Sequence, residues 1–228
     1  FGFSEGLSRI LKNDKWGFID KKGKVVIPLK YHYVSDFSEG LAIAVSNRNS
    51  SSFSVIDKTG KEVFGLKSKY DADSKAVFKE GLLAFLGSGA EGNKVGYVDK
   101  KGKVVIKPQF DKALSFSQGL AAVYSQKERK WGFIDKTGKL VIPYKYKQVN
   151  VFYEGLAYVE VEKGEDKSEG GFIDKKGGMV IKNLMSTDYP EDMKFRNGLA
   201  QVMIGGKKSS TIYAYIDPKG KIVWQEKE

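Results

Sequence analysis

The chain has 228 residues and a formal net charge of +11, from 39 basic and 28 acidic side chains. Its 41% hydrophobic and 29% charged residues are an ordinary globular balance, which argues against intrinsic disorder. There is no cysteine and only one histidine, His32, which excludes disulfides, a cysteine nucleophile and a histidine-rich metal site. The longest apolar runs have the length of a strand, which excludes a transmembrane helix.

One stretch of the sequence recurs along the whole chain. Residues 15–28 have the sequence KWGFIDKKGKVVIP and residues 130–143 have KWGFIDKTGKLVIP, while looser copies begin at residues 53, 95, 171 and 213. One Asp-x-x-Gly pair survives in all six copies: Asp20/Gly23, Asp57/Gly60, Asp99/Gly102, Asp135/Gly138, Asp174/Gly177 and Asp217/Gly220. Aspartate followed by glycine at this spacing predicts a tight hairpin turn with glycine in the left-handed conformation.

A second marker, Phe-x-x-Gly-Leu, opens each copy. Its glycines stand 34, 41, 38, 36 and 43 residues apart, and a period in this range indicates a solenoid, a propeller or an array. No linker separates the copies, so we predict a single domain over residues 1–228. Its six repeats are 3–36, 37–77, 78–115, 116–151, 152–194 and 195–228.

Each repeat has the same order of predicted elements. A short apolar strand such as 42–45 follows Gly-Leu, then a polar loop, the Trp-Gly-Phe-Ile strand, the Asp-x-x-Gly turn and a third strand such as 25–27. Prolines 28, 108 and 143 are expected to end third strands. Segments 31–37 and 146–152 are long enough for an extended return strand, which gives up to four antiparallel strands per repeat.

The pattern therefore predicts an all-β fold of six tandem antiparallel β-meander repeats of 34–43 residues. Six repeats lie within the usual number of propeller blades, and no capping repeat is visible, so a closed six-bladed propeller-like ring is favoured. The alternative is an open β-solenoid of stacked hairpins.

These residues resemble the WG-repeat (KWG-repeat) family of bacterial β-rich repeats. The resemblance is strongest at Trp16-Gly17 and Trp131-Gly132 and extends over essentially the whole chain. The other repeats have different residues in that place: Phe53-Ser54, Val95-Gly96, Gly170-Gly171 and Tyr213-Ala214. The resemblance implies a scaffold with no shared catalytic residues, found in many bacterial proteins that are often exported or multidomain. An exported or cell-envelope location is therefore favoured over a cytoplasmic one.

The best-matching repeats also supply the predicted structural core. Trp16, Gly17, Trp131 and Gly132 hold a fixed repeat position, where inter-repeat packing is favoured over a ligand-stacking platform. Asp20, Gly23, Asp135 and Gly138 are expected to fix the hairpin turns. Each turn has one carboxylate flanked by lysines, whereas calcium requires several convergent oxygens, so no metal or cofactor is predicted.

Lysines of the turns are the candidate partner-binding residues. The six turns carry 14 Lys and 6 Asp, which accounts for +8 of the net charge. A regular repeat array would place these lysines on one rim, where they would favour an anionic polymer such as an acidic glycan or a nucleic acid. The candidates are Lys21, Lys22, Lys58, Lys100, Lys101, Lys136, Lys175 and Lys176.

The sequence favours a non-enzymatic binding module that presents variable polar loops and a lysine-rich rim to a protein or an anionic polymer. A structural spacer domain of a larger exported or envelope protein is the alternative. A hydrolase with its site in a central channel is the weaker alternative, because no carboxylate pair stands out among the 28 acids.

Overall fold

The computed structural model describes residues 2–48, 50, 52–68, 77–89, 92–164, 167–205 and 211–227. The chain forms two compact units, Phe1–Ser115 and Phe116–Glu228. Their boundary coincides with the predicted boundary between the third and fourth repeats. The described residues form six antiparallel sheets, and the predicted all-β class is confirmed. A single continuous domain and the closure of the repeats into a ring stay predictions.

The first unit contains three sheets, one for each of its repeats. Sheet one consists of β1 (Phe3–Ser4), β2 (Leu7–Lys12), β3 (Lys15–Asp20) and β4 (Val25–Tyr31). Sheet two consists of β5 (Tyr33–Val34), β6 (Leu41–Val45), β7 (Phe53–Asp57) and β8 (Glu62–Leu66). Sheet three consists of β9 (Leu82–Gly89), β10 (Gly92–Asp99) and β11 (Val104–Phe110), and the short strand β12 (Lys112–Ala113) follows it.

The second unit repeats this arrangement. The main strands of sheet four are β13 (Ala121–Ser125), β14 (Lys130–Ile134) and β15 (Leu140–Tyr146). Sheet five consists of β16 (Gln148–Val149), β17 (Ala157–Glu162), β18 (Ser168–Ile173) and β19 (Met179–Met185), and a 3-10 helix at Pro190–Asp192 follows it. Sheet six consists of β20 (Ala200–Gly205), β21 (Thr211–Ile216) and β22 (Ile222–Gln225).

The predicted return strands exist, but each joins the sheet of the following repeat. In β5, Tyr33 pairs with Val45, and in β16, Gln148 pairs with Glu160. Both return strands are only two residues long. The fourth strand of a sheet is therefore contributed by the preceding repeat, which links neighbouring repeats through backbone hydrogen bonds.

The expectation that prolines end the third strands is wrong. Strand β4 continues through Pro28 to Tyr31, and β11 and β15 continue through Pro108 and Pro143 in the same way. Trp16 pairs with Tyr31 while Phe18 pairs with Ile27, so two extra residues form a bulge that contains the proline. A bulge accommodates proline because its backbone is already outside the regular ladder.

The same bulge explains the glycine of the Trp-Gly motif. A Cβ atom on Gly132 would lie 2.7 Å from the backbone oxygen of Ile142, and one on Gly17 would lie 2.5 Å from that of Ile27. These contacts are with backbone atoms, which move less readily than the end of a side chain. Glycine is therefore required wherever the third strand bulges inward.

Phenylalanines of the Phe-x-x-Gly-Leu marker form the core between neighbouring repeats. Phe37 packs on Phe18 of the preceding repeat with ring centroids 4.7 Å apart, and Phe152 packs on Phe133 at 5.1 Å. Five of these six marker residues are at most 2% exposed: Phe37, Phe78, Phe116, Phe152 and Phe195. Phe37 and Phe152 remove apolar surface from water by packing on the preceding repeat of the same unit, so their burial and the stacking of these repeats are the same event.

Replacing Gly132 with alanine tests the bulge. We expect Gly132→Ala to lower the free energy of unfolding by about 2 kcal/mol or more, because the new methyl group collides with the backbone of β15. Ala214→Gly is the matched control, since the sixth repeat already has alanine at this position, and it should cost less than about 1 kcal/mol. Equal effects in chemical denaturation would contradict the collision.

Candidate functional site

Two kinds of turn lie at the same end of each sheet. Leu7, which follows the Phe-x-x-Gly marker, pairs with Asp20, which begins the Asp-x-x-Gly turn, and Leu41 pairs with Asp57 in the same way. We call this end of a sheet the turn end. The variable polar segments between the first and second strands, such as residues 46–48, lie at the opposite end, which we call the loop end.

The predicted Asp-x-x-Gly turns are confirmed. In the first repeat, the amide of Gly23 donates to the Asp20 carbonyl (3.0 Å), and Asp20 Oδ1 accepts from the amides of Lys22 and Lys24, both at 2.9 Å. Gly23 has a φ of 80° and Gly138 one of 87°, so both occupy the left-handed region. The aspartate charges of these turns are thus directed at the turn's own backbone.

The Phe-x-x-Gly-Leu marker is a second tight turn. In the second repeat, Glu39 and Gly40 have φ values of 56° and 86°, and Ser38 and Leu41 exchange two backbone hydrogen bonds. Two consecutive left-handed residues define a type I′ hairpin, in which asparagine or glycine is favoured at the first position. Glutamate at that position is therefore strained, and its presence requires a compensating contact.

That contact is made to the next repeat. The Glu5 carboxylate accepts hydrogen bonds from the amides of Glu39 (2.6 Å) and Gly40 (3.0 Å), the exposed donors of the second repeat's type I′ turn. Glu39 Oε2 in turn accepts from the Gly81 amide at 2.9 Å. In the second unit, Gln118 accepts from Gly155 and Glu154 accepts from Asn197 and Gly198.

The first lysine of the Asp-x-x-Gly turn completes this contact. Lys58 Nζ donates to the Glu5 carbonyl (3.1 Å) and lies 3.1 Å from its carboxylate, and Lys100 makes the same two contacts with Glu39 at 3.0 and 3.1 Å. Lys175 donates to the Gln118 carbonyl at 3.1 Å. We call this set of contacts the turn tie. In it, the Glu or Gln side chain of one type I′ turn accepts amides of the type I′ turn in the next repeat. The first lysine of the next repeat's Asp-x-x-Gly turn contacts the same Glu or Gln residue.

Burial and hydrogen bonding act in opposite directions on the tie carboxylates. Burial works to raise the pKa of Glu39, but hydrogen bonds from Lys100 and from backbone amides outweigh it and lower that pKa below its ordinary value. The pKa of Glu5 is lowered for the same reasons, with Lys58 as the cation. Both carboxylates are therefore held in the charged form by the neighbouring repeat.

Serine adds a further link in three repeats. The hydroxyl that follows the marker phenylalanine donates to the carbonyl of the next repeat's marker phenylalanine. The pairs are Ser4 to Phe37 (2.6 Å), Ser38 to Phe78 (2.7 Å) and Ser117 to Phe152 (2.5 Å).

The eight predicted lysines thus divide into two groups by turn position. Lys58, Lys100 and Lys175, at the first position after aspartate, are used in turn ties, and Lys21 and Lys136 occupy the same position in their turns. Lys22, Lys101 and Lys176 stand at the next position and are exposed. In the described ranges their side chains make no hydrogen bond or ion pair, so sheets one, three and five each have an unpaired positive charge at their own turn ends.

The predicted core tryptophans lie at the edge of the core. Trp16 is half-buried beside the cluster that contains Phe18 and Ile27, with the Arg9 guanidinium 5.6 Å above its ring. Trp131 is also half-buried and packs against Tyr124 in a tilted arrangement, with ring centroids 5.4 Å apart. The phenylalanine two residues further on, not the tryptophan, is the fully buried residue of this strand.

Sequence reasoning missed the turn tie, although its signal is present. A glutamate or glutamine precedes the marker glycine in five of the six repeats, and lysine follows the turn aspartate in five of six. Neither residue is needed by its own turn. A long polar side chain at a strained turn position is the signal that indicates a contact with another part of the chain.

Comparison with known proteins identifies the repeat. The family model described as "WG containing repeat" matches residues 1–16, 16–48, 96–125 and 131–164. The chain is a WG-repeat protein. Three divergent Trp-Gly positions lie outside these matches, yet their sheets follow the same order of strands: Phe53-Ser54, Gly170-Gly171 and Tyr213-Ala214.

Solved structures similar to this WG-repeat protein share its fold at low sequence identity. BamB from Moraxella catarrhalis is 11% identical with a TM-score of 0.55, and the match covers 99% of this chain and 75% of BamB. Kluyveromyces lactis Hsv2 is 9% identical with a TM-score of 0.58, covering 94% of this chain and 71% of Hsv2. Both are β-propellers, so the fold is propeller-like.

A third similar structure is the uncharacterised protein lmo1340 from Listeria monocytogenes EGD-e. It is 12% identical with a TM-score of 0.57, and the match covers 96% of this chain and 78% of lmo1340. The comparison with curated proteins returned no match. Among the described residues, no helix has the length and apolar character needed to cross a membrane.

Substitution of Glu39 tests the turn tie. Glu39→Ala removes the acceptor of the Gly81 amide and the partner of Lys100, so we expect a loss of about 1–2 kcal/mol in the free energy of unfolding. Glu39→Gln is the matched control, because Gln118 already accepts the corresponding amide in the fourth repeat, and it should cost less than half as much. Equal losses for the two variants in chemical denaturation would contradict the hydrogen-bonding role.

The lowered pKa of Glu39 also predicts a pH dependence. Because the pKa is lower in the folded chain than in the unfolded one, the ionised carboxylate stabilises the fold above its ordinary pKa. This contribution is lost as the pH falls through the folded-state value. The native protein should therefore lose unfolding free energy more steeply than Glu39→Ala between about pH 5 and about pH 3. Parallel curves for the two proteins would show that Glu39 does not contribute.

Proposed function

We propose that the chain is a non-enzymatic binding module that holds a polyanionic partner at the turn ends of its sheets. The observation that carries this proposal is the division of the turn lysines into two groups. In three turns the first lysine, Lys58, Lys100 or Lys175, contacts the preceding repeat, whereas the exposed side chains that follow in the lysine pairs make no hydrogen bond or ion pair among the described residues: Lys22, Lys101 and Lys176.

The carboxylates at the turn end, which would repel an anion, mostly accept hydrogen bonds from the protein. The turn aspartates accept amide hydrogen bonds from their own turns, and Glu5 and Glu39 accept them from the next repeat. Hydrogen bonds from Thr59 and from turn amides lower the pKa of Asp57, which keeps it ionised while its Oδ1 accepts from its own turn. The lysine charges are left to act on a partner through long-range attraction and counterion release.

A rigid frame supports this use. The turn ties, the marker serines and the buried phenylalanines fix the relative positions of neighbouring turns within each unit. Preorganised groups bind without loss of conformational entropy in the backbone, which favours binding by repeated weak contacts. The loop end, whose segments differ in length and sequence between repeats, remains the place where a protein partner would be distinguished.

Charge removal at matched positions tests the proposal. The triple variant K22Q/K101Q/K176Q should elute from a heparin column at lower salt than the native protein. When the logarithm of its affinity for a DNA duplex is plotted against the logarithm of salt concentration, the slope should be less steep by about one for each lysine that contacts the polyanion. The melting temperature should change little, because these exposed side chains make no hydrogen bond or ion pair among the described residues.

The control is K12Q/K107Q/K182Q, which removes the same net charge from exposed lysines outside the turns. If the two triple variants lost the same amount of heparin and DNA affinity, the effect would be explained by net charge alone and the proposed surface would be overturned. No loss in either variant would do the same.

A structural spacer is the second candidate function. It is favoured by the turn ties, because they use the first turn lysines for cohesion and not for a partner. Native protein that is not retained on heparin at physiological salt would favour the spacer over the binding module. That the chain has no catalytic activity is part of both proposals.

A further inference from the structure

An open groove of about 460 Å³ lies between sheets one and two of the first unit. One wall carries Lys15 and Lys30 from the first repeat, and the other carries Ser54 and Glu62 from the second, with Ser46 and Asn47 at the loop end. The volume lies within the range of small-molecule sites, but the wall is polar where such sites are mostly apolar. This chemistry suits a hydroxylated ligand better than an apolar one.

The second repeat departs from the others at this groove. Its Trp-Gly position is Phe53-Ser54, and strand β8 pairs with β7 in continuous register from Phe53 to Val55 without the bulge seen in sheet one. The absence of the bulge leaves room for the Ser54 side chain, whose hydroxyl donates to Glu62 Oε2 at 2.6 Å.

No other repeat has a hydroxyl and a carboxylate at these two positions. The corresponding residue pairs elsewhere combine glycine or alanine with an apolar residue: Gly17/Val25, Gly96/Val104, Gly132/Leu140, Gly171/Met179 and Ala214/Ile222. In the fifth repeat, a Cβ atom on Gly171 would lie 2.7 Å from the sulfur of Met179, so that position is filled by an apolar side chain. The polar pair is thus particular to the groove of the first unit.

The second unit offers an internal comparison for the lysines. Lys130 corresponds to Lys15, and its Nζ lies 2.5 Å from the carboxylate of Glu162, which corresponds to Asn47. Asn47 is neutral. Within the described residues, neither Lys15 nor Lys30 forms an ion pair, and Lys30 Nζ lies 5.2 Å from the centroid of the Tyr31 ring. Two ammonium groups are therefore unneutralised where the second unit has an ion pair.

We propose that this groove binds an anionic sugar, a hydroxylated ring that carries one carboxylate or phosphate group. Lys15 and Lys30 would receive the anionic group through charge-assisted hydrogen bonds. Glu62, already an acceptor for Ser54, would take hydroxyl donors of the ring, and Ser46 and Asn47 have both donors and acceptors. The carboxylate of Glu62 disfavours a bare inorganic anion, and a neutral sugar would leave both ammonium groups without a partner.

Titration with small probes tests the proposal independently of the turn end. Sodium glucuronate or glucose 6-phosphate should bind saturably by calorimetry and more tightly than glucose or inorganic phosphate, and the tighter of the two identifies the anionic group. Lys15→Gln should weaken that binding by about tenfold or more, as expected for the loss of a charged hydrogen bond. Asn47→Glu should do the same, because it recreates the ion pair of the second unit.

Two control variants keep the outcome specific to the groove. Lys107→Gln removes one charge from sheet three, and Glu162→Asn frees Lys130 in the second unit, where the Ser54–Glu62 pair has no counterpart. Neither substitution should change the affinity for the sugar probe. Equal binding of glucose or of inorganic phosphate would overturn the proposal, and so would an unchanged affinity in Asn47→Glu or no saturable binding in the native protein.

The proposal for the groove and the proposal for the turn-end lysines can be overturned independently of each other. K22Q/K101Q/K176Q should bind the sugar probe as the native protein does, and Lys15→Gln should keep the heparin elution of the Lys107→Gln control. A sugar titration that changed with the turn lysines would assign both effects to one surface and overturn the groove.

Discussion

A glutamate held in a left-handed turn makes the contact on which the rest of the structure depends. Its carboxylate accepts the amides of the next turn and is held in the charged form by a lysine of the next repeat, as Glu39 is by Lys100. Neither donor belongs to the same hairpin as the acceptor. A two- or three-stranded hairpin is marginal by itself, so the contact that stabilises one repeat is the contact that orders its neighbour.

Burial of the marker phenylalanines follows the same logic. Phe37 and Phe152 each complete the core of the preceding repeat, while the return strands β5 and β16 pair with the following one. Core, ladder and turn therefore all cross the boundary between repeats. This sharing makes cohesion insensitive to the Trp-Gly position, where Phe53-Ser54 and Gly170-Gly171 replace the motif while the strand order persists.

Because cohesion does not depend on the Trp-Gly position, residues at that position can vary between repeats. Loss of the inward bulge in the second repeat gives space to a serine and brings it into contact with Glu62. The turn lysines also differ by position, since Lys100 and Lys175 contact the preceding repeat while the next residues, Lys101 and Lys176, are exposed to solvent. Identical lysines in a repeat sequence thus differ in role because of one position along a turn.

The sequence by itself determined the all-β class, the six repeats and the Asp-x-x-Gly hairpins, because turn geometry and strand alternation are encoded by neighbouring residues. It also identified the turn lysines as a group. Only the tertiary structure decided that Pro28 lies in a bulge, that Lys58 is tied to Glu5, and that Ser54 donates to Glu62 on one wall of an open groove. These facts depend on the register between strands and on contacts between residues up to 53 positions apart, which no local pattern specifies.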